Sequence, residues 1–368
     1  MEDILCIGCG APIQTKYKDR LGYTPQSALE KGMETGELYC QRCFRLRHYN
    51  EITDVQLTDD DFLRLLHEVG DSNALVVNVV DIFDFNSSVI PGLPRFVAGN
   101  DVLLVGNKKD ILPKSVKTSK VTQWLMERAH EEGLRPVDVV LTSAQNKQAI
   151  KELIEKIEQY RKGRDVYVVG VTNVGKSTLI NAIIQEITGD KEVITTSRFP
   201  GTTLDKIEIP LADGSHIYDT PGIIHRHQMA HYLSAKNLKY ISPKKEIKPK
   251  TYQLNPEQTL FLGGLGRFDF VSGNKQGFTA YFDNELKLHR TKLAGAGEFY
   301  EKHVGSLLTP PSKKEVADFP QLVKHELKIE TKTDVVFSGL GWIRVIGPAQ
   351  IAVWAPEEVA VVTRKAII

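Results

Sequence analysis

Between Glu51 and His225, short β-branched runs alternate with stretches whose apolar positions return every three or four residues. That alternation is the mark of βαβ units around a parallel sheet. The runs Ala74–Val80, Asp101–Gly106, Pro136–Leu141, Asp165–Val169 and Ser215–Tyr218 predict its strands. Thr58 with Asp61 resembles a capping box that opens a helix carrying Phe62, Leu63, Leu65 and Leu66. From Gln148 to Tyr160, Ile150, Leu153, Ile154 and Ile157 share one helical face with Glu and Lys opposite. Beyond about Leu260 the runs shorten and Gly and Pro punctuate them: Thr279–Phe282, Val335–Phe337, Ile343–Val345, Ile351–Trp354 and Val359–Thr363. This third reads as mostly β. The first fifty residues hold turn residues, all four cysteines and little apolar periodicity. Three regions follow, 1–50, 51–225 and 226–368, with no long-period repeat.

Composition refines this picture only locally. At 368 residues the chain exceeds one compact core. A net charge of +1 excludes a global basic field, so any nucleic-acid surface must be regional. After His225, about 21 Lys and Arg face about 14 Asp and Glu. Lys244, Lys245, Lys248 and Lys250 are candidate RNA contacts there, against the plainer reading of a solvated linker beside Pro243 and Pro249. Trp342 and Trp354 read as core rather than base-stacking platforms. No apolar stretch could span a bilayer, and Met1-Glu2-Asp3 opens no signal core, so a cytoplasmic protein without a membrane partner is expected.

The chemistry lies in five short motifs. Gly170 to Ser177 fits G-x-x-x-x-G-K-[ST] directly after an apolar strand and before a helical run, the context a phosphate-binding loop requires. Asn173, Val174, Gly175, Lys176, Ser177 and Thr178 would surround the phosphates, Lys176 reaching the β- and γ-phosphates and Ser177 the Mg2+ ion. Asp219-Thr220-Pro221-Gly222 supplies a carboxylate that holds Mg2+ through water and an amide, at Gly222, for the γ-phosphate. Pro200-Gly201-Thr202-Thr203 lies between them, where a second hydroxyl must reach the metal; Thr203 is the choice and Thr202 the fallback. Asp110, in Asn107-Lys108-Lys109-Asp110, can accept both the ring N–H and the exocyclic amine of guanine, a donor pair adenine lacks. Lys108 can lie along the base and Asn107 can tie loops together. Ser143 and Ala144, in Thr142-Ser143-Ala144, fit the loop whose amide meets guanine O6. The base-reading motif precedes the phosphate loop, so the chain is cut and rejoined at an unusual loop.

Cys6-x-x-Cys9 and Cys40-x-x-Cys43, about thirty residues apart, form a four-thiolate pattern suited to a closed structural Zn2+ site. Disulfides, a redox pair and an iron–sulfur cluster are the competing readings. Arg42, Phe44, Arg45, Arg47, His48 and Tyr49 then interleave cations and aromatics, as an RNA surface would, or form a charged face packed on the next domain. His48 reads as a surface residue, since four thiolates satisfy the metal.

Together GVTNVGKST, PGTT, DTPG, NKKD and TSA resemble the translation-factor-related P-loop GTPases. Their permuted order resembles the circularly permuted subgroup of ribosome assembly, and with CQRCFRLRHYNE the chain is similar to the YqeH family along nearly its whole length. The resemblance implies an α/β P-loop GTPase domain of permuted topology, flanked by an N-terminal zinc module and a β-rich C-terminal domain that binds RNA or protein. It implies GTP hydrolysis to GDP with Mg2+, and partners in the small ribosomal subunit or its precursor, its rRNA and ribosomal proteins. Ile223 stands where Ras-like proteins carry a water-orienting glutamine, so slow intrinsic turnover is expected. Asn173 resembles the asparagine that ligates K+ in related GTPases, which implies K+-stimulated turnover; the alternative is a simple loop cap. The switch around Asp219–Ile223 leads straight into the C-terminal region, so nucleotide state is expected to bias docking. An RNA-binding scaffold with guanine nucleotide as a structural ligand, and a GTPase assisting tRNA modification, are the other readings.

Overall fold

A computed structural model describes residues 4–7, 11–18, 20, 22–36, 38–49, 59–188, 207–220, 222, 229–234 and 236–368. Thr58, Cys9, Thr202, Thr203, Ile223 and His225 lie outside the described residues, as does the side chain of His48. The chain divides into two compact units: 1–109 with 122–225, and 110–121 with 226–368.

The first unit begins with helices α1 (Gln26–Thr35) and α2 (Gln41–Tyr49) around the cysteines, then α3 (Asp59–Asp71). Leu65, Leu66 and Val69 of α3 are buried, but Leu63 is 44% exposed, so the apolar stripe is narrower than its sequence suggests. Next come β1 (Leu75–Asp81), the short helices α4 (Phe85–Ser88) and α5 (Leu93–Phe96), β2 (Val102–Asn107) and α6 (Thr118–Glu131). They are followed by β3 (Asp138–Leu141), α7 (Lys147–Arg161), β4 (Val166–Val169), α8 (Lys176–Thr188), β5 (Ile207–Pro210) and β6 (His216–Asp219). The six strands order as β3-β2-β1-β4-β6-β5. All pair in parallel except β5, which runs antiparallel to β6 at the edge. Every residue of β1 is buried, as a strand covered on both faces demands. The Asn146 side chain caps α7 by accepting the Ala149 N–H at 3.1 Å, and Ile150, Leu153 and Ile157 form its buried stripe.

β4, which feeds the phosphate loop, sits mid-sheet between β1 and β6. The loops after β1, β2, β4 and β6 therefore open at one edge, where open parallel sheets place their ligands. Cutting the chain elsewhere leaves this spatial order intact.

The second unit is mainly a β-sandwich, built from β7 (Lys250–Leu254), β8 (Gln258–Leu262), β9 (Arg267–Gly273), β10 (Gln276–Phe282), β11 (Leu288–Lys292), α9 (Ala296–His303), β12 (Leu322–Ile329), β13 (Thr333–Phe337), β14 (Gly341–Val345), β15 (Ala349–Pro356) and β16 (Val361–Lys365). Two five-stranded antiparallel sheets, β16-β13-β14-β10-β7 and β11-β8-β9-β15-β12, share one core. Phe268, Phe270, Phe278 and Phe337 are its fully buried aromatics. Trp342 is fully buried, whereas Trp354 is half-buried and donates its indole N–H to Asp269 at 2.8 Å. Residue 111 is knit into this unit, its carbonyl accepting the Ile247 N–H at 2.9 Å.

Candidate nucleotide site and cysteine cluster

The phosphate loop turns between β4 and α8 with Asn173 at φ 68° and Gly175 at φ 84°. A side chain at 175 would be strained, and its Cβ would stand 2.7 Å from Asn107 Nδ2. Asn107 is 2% exposed and donates to the Val174 carbonyl at 2.9 Å, so it ties the two loops as its motif predicts. Lys108, at φ 64°, reaches back over the same loop: its ammonium donates to the Asn173 carbonyl at 2.8 Å and to Asp81 Oδ2 at 2.6 Å. Lys109 N–H donates to the Thr142 carbonyl at 3.0 Å, which joins the base-reading segment to the Thr142-Ser143-Ala144 loop. Ser143 is buried and Ala144 half-buried. Asp110 follows in the 3-10 turn Lys109–Ile111 and is exposed, at the start of the second unit.

Lys176 opens α8 and is 2% exposed; its ammonium donates to Asp219 Oδ1 and to the Thr220 carbonyl. Ser177 is buried beside it, whereas Asn173 and Thr178 are exposed and Val174 is buried. Thr220 fastens to β4, its hydroxyl donating to the Val168 carbonyl at 2.8 Å. Gly222 lies against the phosphate loop, where a Cβ would come within 3.1 Å of Thr172 Cγ2. Lys176 at the start of α8 thus meets Asp219 at the end of β6, while Gly222 packs against Thr172 of the same loop. Thr203, the expected second hydroxyl, lies outside the described residues.

The residues present suit a magnesium-bound nucleotide. A buried lysine and a buried carboxylate beside a glycine-bearing loop at a helix N-terminus form the donor and acceptor set that phosphate and Mg2+ require. A fully buried ammonium also needs anionic company, which Asp219 supplies to it.

Cys6, Cys40 and Cys43 are all buried, with sulfurs within 4.8 Å of one another. The Cys40 N–H donates to Cys6 Sγ at 3.1 Å, the kind of bond that steadies a thiolate in a metal knuckle. Zn–S bonds of about 2.3 Å around one ion suit this spacing. Cys9, the fourth thiol of the pattern, lies outside the described residues.

Of the two readings for Arg42, an RNA-facing cation or part of a charged face packed on the next domain, the structure contradicts the first and favours the second: it is 4% exposed and its Nη2 donates to Asp219 Oδ2 at 3.1 Å. Arg42 lies in the first turn of α2, beside the buried Cys43. Phe44 and Arg45, one step on, are exposed, as are Lys244, Lys245, Lys248 and Lys250. Sequence reasoning also missed Asp81. Its signal was faint: an acidic residue closing an apolar strand, with nothing to mark it as the partner of Lys108.

Comparisons with known proteins accord with this geometry. A family described as 50S ribosome-binding GTPase matches residues 165–255, and one described as YqeH-like, C-terminal, matches residues 275–367. The YqeH protein of Bacillus subtilis is 58% identical over 100% of both chains. The NO-associated protein 1 of Arabidopsis thaliana is 33% identical over 92% of this chain and 69% of its own. A solved GNP-bound YlqF from T. maritima is 26% identical and covers 50% of this chain and 66% of that one, with a TM-score of 0.32.

Proposed function

The chain belongs to the YqeH family of permuted P-loop GTPases, and from that premise we propose that it hydrolyses GTP to time its docking on an immature small ribosomal subunit in the cytoplasm. The observation that carries the catalytic part is the convergence of Asn107, Lys108, Lys176 and Asp219 at one edge of the sheet. In this reading Lys176 leaves Asp219 for the β- and γ-phosphates, while backbone amides from Asn173 to Thr178 cradle them. Ser177 and Thr203, with Asp219 through water, would hold Mg2+, and the bound ion would supply charge neutralisation at the phosphates. The Gly222 amide faces the γ-phosphate. Asp110 accepts the guanine donor pair, the stem of Lys108 lies along the base, and the loop at Ser143 and Ala144 meets O6. Cys6, Cys9, Cys40 and Cys43 hold Zn2+, which stiffens the N-terminal module.

Among the described residues no helix is long and apolar enough to cross a membrane. Docking is tested by co-sedimenting the full chain with purified ribosomal subunits in GDP or a non-hydrolysable GTP analogue. Affinity for the small subunit is expected to differ by about tenfold between nucleotides. Equal affinities remove the timing role, and binding to large subunits alone reassigns the target.

The missing glutamine leaves charge neutralisation to other groups, and Asn173 is the candidate for holding K+ there. Exchanging NaCl for KCl is expected to raise turnover about tenfold. Asn173→Gly, which keeps the positive φ but removes the ligand oxygen, is expected to abolish the gain. If the glycine variant keeps its K+ response, Asn173 serves only the loop's backbone.

A further inference from the structure

The buried Arg42–Asp219 pair joins two parts of the protein that the reading above treats as separate. Arg42 stands between Cys40 and Cys43, and the first turn of α2 fixes where its side chain goes. Asp219 closes β6. Both side chains are almost fully buried, at 3% and 1% exposure. The two carboxylate oxygens are divided: Oδ1 accepts Lys176 from the phosphate loop, and Oδ2 accepts Arg42 from the cysteine knuckle.

We propose that Arg42 is the positioning residue for Asp219, so that the cysteine cluster sets the Mg2+ requirement of the nucleotide site. The inference rests on the guanine-nucleotide reading and deepens it. When a triphosphate draws Lys176 away, Oδ1 is released on the side of the phosphate loop. Arg42 still holds Oδ2, which restricts rotation of the carboxylate and keeps a buried anion paired. Hydrogen-bonded partners of metal-facing carboxylates typically matter about 10–100-fold for metal affinity or activity. A guanidinium suits this task because its planar, fixed N–H directions hold the Oδ2 contact in a defined geometry, which an ammonium on a flexible stem does less well. Arg42 does not reach the reacting atoms; it acts through Asp219. Its aim depends on the knuckle, because Cys43 sits in the same helical turn and the Cys40 amide is tied to Cys6.

The test titrates Mg2+ into full-length protein carrying a fluorescent mant-GDP, for wild type, Arg42→Ala and Arg42→Lys, with zinc content and thermal melting measured alongside. In Arg42→Ala the Mg2+ midpoint is expected to rise about tenfold or more, while mant-GDP affinity in Mg2+-free buffer without chelator stays within about twofold of wild type. Arg42→Lys is expected to recover part of the shift, and turnover at limiting Mg2+ to follow the same order. A merely structural dock would instead lower the melting temperature and leave the Mg2+ midpoint where it was; that result overturns the proposal. Should Arg42→Ala fail to fold, an unshifted midpoint in Arg42→Lys overturns it equally. Wild-type protein that binds no mant-GDP overturns the guanine-nucleotide reading itself, an outcome separate from any Arg42 effect.

Discussion

Replacing Asp110 with asparagine is expected to lower GTP affinity on the order of 100-fold or more and to move base preference from guanine to xanthine. In the proposed function the carboxylate at 110 would accept two hydrogen bonds from guanine, each charge-assisted and worth about 1.5–3 kcal/mol. Asparagine offers one acceptor and one donor, so its amide N–H would face the exocyclic amine of guanine, donor against donor. Xanthine carries a carbonyl at that place and restores the match. Asp110 is exposed, so the exchange disturbs no packing and melting should hardly change. The measurement is competition for bound mant-GDP by GTP, ATP and xanthosine triphosphate. GTP affinity unchanged in Asp110→Asn would mean that the base is read elsewhere.

Much of this site was legible because its chemistry is local in sequence. A phosphate loop needs a strand, a glycine turn and a helix start within a few residues, and Val166–Val169, Gly175 and Lys176 supply them in order. The central strands were legible for a related reason: burial on both faces forces continuous apolar runs, as in β1. β5 was not read as a strand, since an edge strand of four residues that ends in Pro210 carries little periodic signal. In the last third, β12 alternates Lys324, Glu326 and Lys328 with less polar neighbours but pairs along only one edge, so its place beside β15 could not be read from the pattern. The Arg42–Asp219 and Lys108–Asp81 pairs were invisible for a deeper reason. They span 177 and 27 residues, and a charged side chain announces nothing about burial until the fold has closed around it. Arg42 shortly precedes Phe44 and Arg45, which are exposed, and composition assigns all three to one surface. The helical turn separates them.

Cys40→Ser is expected to release the metal and unfold the N-terminal module while the β-sandwich stays intact. The module has a small core: Cys6, Cys40 and Cys43 are themselves its buried cluster, with Ile13 and Tyr39 packed around them. So few apolar contacts among the described residues cannot offset the chain entropy of ordering the segment. A bound structural zinc contributes about 10–16 kcal/mol in small metal-folded domains, enough to decide whether the segment is ordered. A serine hydroxyl stays protonated at neutral pH and cannot replace the Cys40 thiolate. Metal content is expected to fall from about one zinc per chain towards zero, and limited proteolysis to open sites before residue 50. A strong chelator should reproduce this in the wild type, whereas a reductant should not. The opposite pattern, resistance to chelator and collapse in reductant, would identify disulfides instead. Loss of the module also removes the aim of Arg42, so chelated protein should need more Mg2+ to retain nucleotide. Chelated protein that loses its zinc but keeps an unaltered Mg2+ midpoint would separate the cysteine cluster from the nucleotide site and leave Arg42 a packing contact.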